Sequence, residues 1–201
     1  MSAREDILNN VRANRATAID LPSLDQDWQT FDDPLDHFRQ MLTGIGASSE
    51  VMPNAAAADA WLNDRSEYAK SASAISLVEG VGRSTLQLDQ LATPHELSGL
   101  DWAVLPGEFG VAENGAIWIT DHQIRYRAVY FLCEHLVLVL PTSQVLHNMP
   151  QAYERIAGWG TDDRPAFGTF VAGPSKTADI EQSLVIGAQG PRSLDVLLID
   201  A

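Results

Sequence analysis

Leu136-Val137-Leu138-Val139-Leu140 is a run of five apolar residues with no polar face. A strand that leaves one face in water alternates apolar with polar residues, so an unbroken run of Val and Leu predicts a strand covered on both faces. Short β-rich runs lie to either side of it: Ala74 to Val78, Trp102 to Leu105, Ala116 to Thr120, Phe167 to Ala172 and Leu194 to Ile199, with turn residues between them. Together they predict the strands of one sheet. A helical pattern over Thr142 to Ala157 intervenes, with Val145, Leu146, Met149, Tyr153 and Ile156 on its inward face and Pro150 expected to weaken or kink it. Strands interleaved with helices define an α/β class, here a three-layer α/β/α sheet.

The N-terminal part reads differently. Ser2-Ala3-Arg4-Glu5 is a capping box ahead of the stripe Ile7, Leu8 and Val11, which predicts a helix of about three turns. From Asn14 to Asp32 the periodicity is lost while Pro22, Ser23 and several aspartates accumulate, the composition of an extended, mobile arm. Asp33-Pro34 then opens a second helix as N-cap and first helical residue, with Leu35, Phe38, Leu42 and Ile45 inward and Gly44 and Gly46 closing it. Asn54 caps a third helix running to Asn63, anchored by Trp61 and Leu62. The chain thus divides into an N-terminal helix and arm, 1–32, and an α/β domain, 33–201.

The 201 residues suit one domain with a sizeable core. With 27 acidic against 13 basic residues and a formal charge of -14, the chain repels nucleic acids and anionic membranes, which are excluded as partners. No apolar run approaches the ~20 residues needed to span a bilayer, and the charged N-terminus is unlike a secretion signal, so a cytoplasmic location is expected. Cys133 is the single cysteine, which rules out an internal disulfide and a self-contained iron–sulfur or thiolate zinc site. The histidines His37, His95, His122, His135 and His147 show no metal-ligand spacing, so neither a metal nor a bound cofactor is predicted.

Two segments carry candidate chemistry. Gly173-Pro174-Ser175-Lys176-Thr177-Ala178-Asp179-Ile180-Glu181 follows the predicted strand Phe167 to Ala172 and reads as a turn into a short helix. Backbone N–H groups at such a junction, with Lys176 beside them, suit an anion, while Ser175, Thr177 or Asp179 would cap the helix; a capped turn that binds nothing is the alternative. In Gly110-Val111-Ala112-Glu113-Asn114-Gly115, Glu113 suits a nucleophile or general base with Asn114 and Gly115 around it, whereas Asn-Gly equally suits a tight hairpin turn beside a solvated glutamate. His135 stands at a strand edge, Arg125 and Arg127 flank Tyr126, and Arg192 follows Gly190-Pro191, within reach of an anion or of the last strand. Gly80 to Thr85 lacks a nucleotide fingerprint and reads as a connecting loop; Ser143 and Ser175 lack the partners of a nucleophilic serine.

These segments, in this order, resemble the lactate-utilisation protein C family, or LUD domain, over nearly the whole chain. The resemblance runs through Ser2 to Leu8, Gly110 to Ala116, Arg127, Glu134-His135, Gly173 to Glu181 and Gly187-Ala188-Gln189-Gly190-Pro191-Arg192, the last two blocks being the most specific. A histidine usually stands where this chain has Gln189. The resemblance implies the fold of sugar-phosphate isomerases and coenzyme A transferases (NagB/RpiA/CoA transferase-like), with ligands at strand ends. It implies Glu113 as the candidate catalytic residue and Asn114, Gly115, Arg127, His135, Gly173, Ser175, Lys176, Thr177, Asp179, Glu181, Gln189 and Arg192 as candidate ligand-binding residues. It further implies a part in oxidising L-lactate to pyruvate as a cluster-free component that binds a small anion beside iron–sulfur partner proteins; a homo-oligomer is also open. Ala112-Glu113-Asn114-Gly115 is similar to the Ser-Glu-Asn-Gly motif of class I coenzyme A transferases, whose glutamate takes up the acyl group, with Ala112 in place of the serine. A third reading, by fold analogy, is sugar-phosphate binding or isomerisation through Lys176 and Arg192.

Overall fold

A computed structural model describes residues 2–15, 26–122, 124–160, 165–178 and 183–200. Its helices are α1 (Ala3–Ala13), α2 (Pro34–Gly44), α3 (Ala55–Asp64), α4 (Ser66–Lys70), α5 (Val129–Leu132) and α6 (Met149–Ala157). The strands are β1 (Ser48–Met52), β2 (Ala74–Ser76), β3 (Trp102–Pro106), β4 (Phe109–Val111), β5 (Ala116–Thr120), β6 (His135–Pro141), β7 (Val145–Leu146), β8 (Gly168–Val171), β9 (Lys176–Thr177), β10 (Val185–Ile186) and β11 (Ser193–Ile199).

The unbroken apolar run sits in β6, the middle of a parallel sheet ordered β1-β11-β6-β3-β2. Because side chains alternate along a strand, Leu136, Leu138 and Leu140 enter one core with Ile75, Leu105 and Val196, while Val137 and Val139 enter another with Trp102, Val104 and Leu197. Phe38 and Leu42 of α2 and Val129 and Tyr130 of α5 cover the first face; Ala58, Leu62 and Tyr68 of α3 and α4 cover the second. The mixed α/β layering therefore follows from apolar residues on both sides of the central strands.

The predicted single sheet is in fact two. β5 and β8 leave the parallel sheet and pair antiparallel with each other, Ile117 opposite Val171, in a second sheet ordered β7-β4-β5-β8. Ile117 and Ile119 still reach the main core, while Phe109 and Val111 pack outward against Ala152 of α6, with Trp118 and Phe170 beside them. Both faces of β5 are covered, so its composition matches that of a central strand although it belongs to another sheet.

Residues Thr142 to Ala157 do not form one helix. A 3-10 turn over Thr142–Gln144 leads into β7, which pairs with Gly110 and Val111, and α6 begins only at Met149. The Asn148 side chain accepts the Gln151 N–H as N-cap, and Pro150 lies in the first turn, where no intrahelical partner awaits its missing N–H. Pro150 starts the helix instead of kinking it. Tyr153, expected inward, is 60% exposed. β1, whose Ser-Ser-Glu-Val-Met sequence carries no apolar alternation, is an edge strand that the sequence reading did not anticipate.

At the N-terminus the capping box forms, Glu5 N–H donating to Ser2 Oγ and Ser2 N–H to Glu5 Oε2, yet no residue of α1 is buried. Part of the arm, residues 16–25, lies outside the described residues. Its following portion is docked: Asn148 Nδ2 donates to Gln29 O at 2.9 Å, and the Phe31 N–H donates to His147 Nδ1 at 3.1 Å while the Phe31 ring stacks on His37. Among the described residues no helix is long and apolar enough to cross a membrane.

Candidate functional site

Glu113 lies in the tight turn between β4 and β5. Asn114 Oδ1 accepts the Ala116 N–H at 3.0 Å, and Gly115 adopts φ +71 with a notional Cβ only 3.2 Å from the Leu42 backbone nitrogen of α2. Asn114 and Gly115 thus close a hairpin, but as the end of the four-residue loop Ala112 to Gly115 between the paired Val111 and Ala116, not as a two-residue turn. The Glu113 N–H donates to His147 O at 3.0 Å, and its Oε2 accepts the Met149 N–H at 2.8 Å. This carboxylate satisfies an orphan donor at the start of α6, where a negative charge is favoured.

Arg127 grips Asp121 through Nε and Nη2, both at 2.9 Å, and its guanidinium lies over the Phe167 ring. Asp121 also accepts the Phe167 N–H at 2.9 Å, so the three residues tie the β5 exit to the approach to β8. His135, the first residue of β6, stacks on Trp102 at 4.4 Å and places Nδ1 2.7 Å from Ser193 Oγ. Gly82 N–H meets Asp59 Oδ1 and Arg83 N–H meets the Tyr68 hydroxyl, so the Gly80 to Thr85 loop is held by its own domain.

The predicted short helix after Gly173 is a correction. Lys176 and Thr177 form β9, paired antiparallel with Ile186 and Val185. Two β-branched residues beyond the reach of a local reading offer a strand partner, so Lys176 and Thr177 are extended where a helix start was expected; the rest of the predicted helix, 179–181, lies outside the described residues. Gly173 still turns the chain at φ +84; a Cβ there would stand 2.8 Å from Ile45 O. The Ser175 N–H donates to Pro191 O at 2.8 Å and the Gly187 N–H to Ser175 O at 2.9 Å. Lys176 Nζ donates to Ile45 O, a cation on the carbonyl that ends α2. Asp179 and Glu181 lie outside the described residues.

These pairings bring the two most distinctive segments onto one cleft of about 330 Å³. It is lined by Gly173, Ser175, Lys176 and Thr177 from one segment, Gln189, Gly190 and Pro191 from the other, and apolar residues including Phe131, Phe170 and Val171. Lys176 is the charged residue among the described lining, in a chain of formal charge -14. A neighbouring cleft of about 510 Å³ shares Phe131, Gln189 and Gly190 and holds Asp101, Glu134 and Arg192. There Arg192 Nη1 pairs with Glu134 Oε1 at 2.7 Å. Both clefts open beside the amino ends of β6 and β11. Glu113, Asn114, Gly115, Arg127 and His135 are outside the described lining of either cleft.

Two buried groups border the clefts. Burial pushes the Cys133 thiol up to about 12, which keeps it protonated and unreactive at neutral pH. Tyr130 is likewise raised, by burial first and then by the Glu108 and Asp121 carboxylates, and its hydroxyl donates to Thr120 O at 3.1 Å. Among the described residues no group of three or more His, Cys, Asp or Glu is placed to hold a metal ion. Cys133 is buried at the end of the apolar stretch Val129 to Cys133, while Phe131 within it is 42% exposed and lines both clefts.

A five-stranded parallel sheet with a four-stranded mixed sheet beside it, and a cleft lined from two loop segments, define an α/β protein of a recognisable class. The LUD domain matches residues 35–199, and the chain belongs to that family. It is similar to lactate utilization protein C of Bacillus pumilus (strain SAFR-032), 35% identical over 101 residues that make up 49% of this chain and 42% of that protein. It is also similar to lactate utilization protein C 1 of Bacillus mycoides (strain KBAB4), 29% identical over 50% of this chain and 44% of that one. The matched stretch therefore spans less than half the length of these relatives. A DUF162 family protein from Deinococcus radiodurans, known from a crystal structure, shares the fold with a TM-score of 0.61 at 17% identity, covering 83% of this chain and 96% of that one.

Proposed function

We propose that this chain acts in lactate utilisation as a component without clusters of its own, binding a small carboxylate in the Lys176 cleft and working beside iron–sulfur partner proteins. The observation that carries the reading is the cleft itself: an acidic protein lines it with a cation and, among the described residues, no carboxylate. Lys176 spends one donor on Ile45 O and keeps two for a ligand. The names of the relatives supply the pathway. The single thiol, buried and held protonated, supports leaving electron transfer to other chains.

The test is genetic and biochemical together. A host strain lacking this chain is expected to lose growth on L-lactate while growing on pyruvate, and iron–sulfur proteins are expected to co-purify with the tagged protein from lactate-grown cells. Undiminished growth of the deletion strain on L-lactate overturns the role. The coenzyme A transferase reading finds no comparable support, because the Glu113 carboxylate is engaged with the Met149 N–H.

A further inference from the structure

We propose that the ligand of the Lys176 cleft is a monocarboxylate with a substantial apolar body, an aryl or medium-chain acyl acid, and that lactate itself occupies the cleft poorly. This rests on the anion reading above and specifies the chemistry of the rest of the ligand.

The cleft is amphipathic in its lining. Lys176, Ser175 and Thr177 line it together with apolar residues, of which Phe131 and Phe170 keep exposed surface. At about 330 Å³ it lies at the small end of the range typical of ligand sites and holds roughly ten waters' worth of liquid volume, well beyond a three-carbon acid. Lactate would leave the aromatic and aliphatic lining in contact with water and would bring a hydroxyl next to it, whereas an apolar tail removes both the ligand's surface and the lining from water. Several polar groups nearby are committed: the Tyr130 hydroxyl to Thr120 O, the Ser175 N–H to Pro191 O and the Ser175 carbonyl to the Gly187 N–H. What the cleft leaves free among the described residues is a polar set, Lys176 with the Ser175 and Thr177 hydroxyls and the Gln189 amide, together with the apolar surface of Phe131 and Phe170. Phe131 is 42% exposed where it lines both clefts, so it is available to close over a ligand without being part of the core.

The experiment is calorimetric titration of the full chain with straight-chain carboxylates from acetate to octanoate, with phenylacetate and L-lactate, and with hexylamine and hexanol as cationic and neutral counterparts. Affinity is expected to rise about fourfold for each methylene buried until the cleft is full. Hexanoate is expected to bind at least tenfold more tightly than hexylamine. Lys176→Met should abolish that preference for the acid, and Phe131→Ala should weaken octanoate and phenylacetate while leaving acetate unchanged. Affinity that is flat along the series, lactate binding as tightly as hexanoate, or an amine matching the acid overturns the proposal. Growth on lactate that depends on the chain, combined with a flat series, removes this inference and leaves the lactate role standing; a rising series without growth dependence does the reverse.

Discussion

The Glu113 corner and the Lys176 cleft are both built on tight glycine turns against α2, and the fold uses their polar groups in opposite ways. At the corner three groups are taken up by the fold: Asn114 Oδ1 by the Ala116 N–H, Glu113 Oε2 by the Met149 N–H, and the Glu113 N–H by His147 O. At the cleft the backbone is equally well paired, yet Lys176 retains donors and apolar side chains remain uncovered. A motif with catalytic-looking residues is a structural joint when its donors and acceptors balance internally; a site is recognised by what is left over.

That contrast can be broken at several points. Gly115→Val forces a β-branched residue to positive φ against the α2 backbone and is expected to cost about 3 kcal/mol in urea unfolding. Gly173→Ala meets Ile45 O in the same way and should cost about 2 kcal/mol, but it should also weaken carboxylate binding, measured by titration, which Gly115→Val leaves intact in the folded fraction. Cys133 sharpens the cleft side through pH. Its thiol stays protonated in the fold up to about 12, while the unfolded chain releases the proton near 9.0. The unfolded state therefore gains on raising the pH, and stability present below pH 9 should fall as the pH rises above it. Denaturation at pH 8 and pH 10 should show a shallower loss for Cys133→Ala, with the raised Tyr130 adding a decline of the same sign at higher pH.

At the corner, Glu113→Ala should cost about 1 kcal/mol through the lost cap, and Glu113→Gln less than half of that because its carbonyl oxygen still accepts the Met149 N–H. Rescue by glutamine in both stability and activity marks a structural joint; full stability with abolished activity would restore the carboxylate as a chemical group and break the comparison. The smallest effect is expected for Arg192→Gln, since its pair with Glu134 is largely exposed: below about 0.5 kcal/mol by thermal unfolding.

Much of this was legible in the residues, and the boundary of what was legible has a physical shape. The central strands announce themselves because burial on both faces leaves an unbroken apolar run, and α2 and α3 announce themselves through Asp33-Pro34 and Asn54 at their caps. Which sheet a doubly covered strand joins is a matter of pairing, so β5 and β8 read like members of the parallel sheet. Pro150 signals a break in a helix as readily as a start; only the pairing of Val145 and Leu146 with β4 decides between them. The family-marking segments pointed to Lys176 and Gln189, while the apolar lining stayed hidden because Phe131, Phe170 and Leu194 come from three separate elements and look like ordinary core.

Trp118 gives the second sheet an optical property. Its indole N–H is buried without a partner among the described residues, and its ring tilts against Phe170 at 4.6 Å, a residue that also lines the cleft. Of the five tryptophans in the chain, this partly buried one stands one side chain away from the proposed ligand. Filling the cleft should alter the intensity or lifetime of its emission without any label being attached.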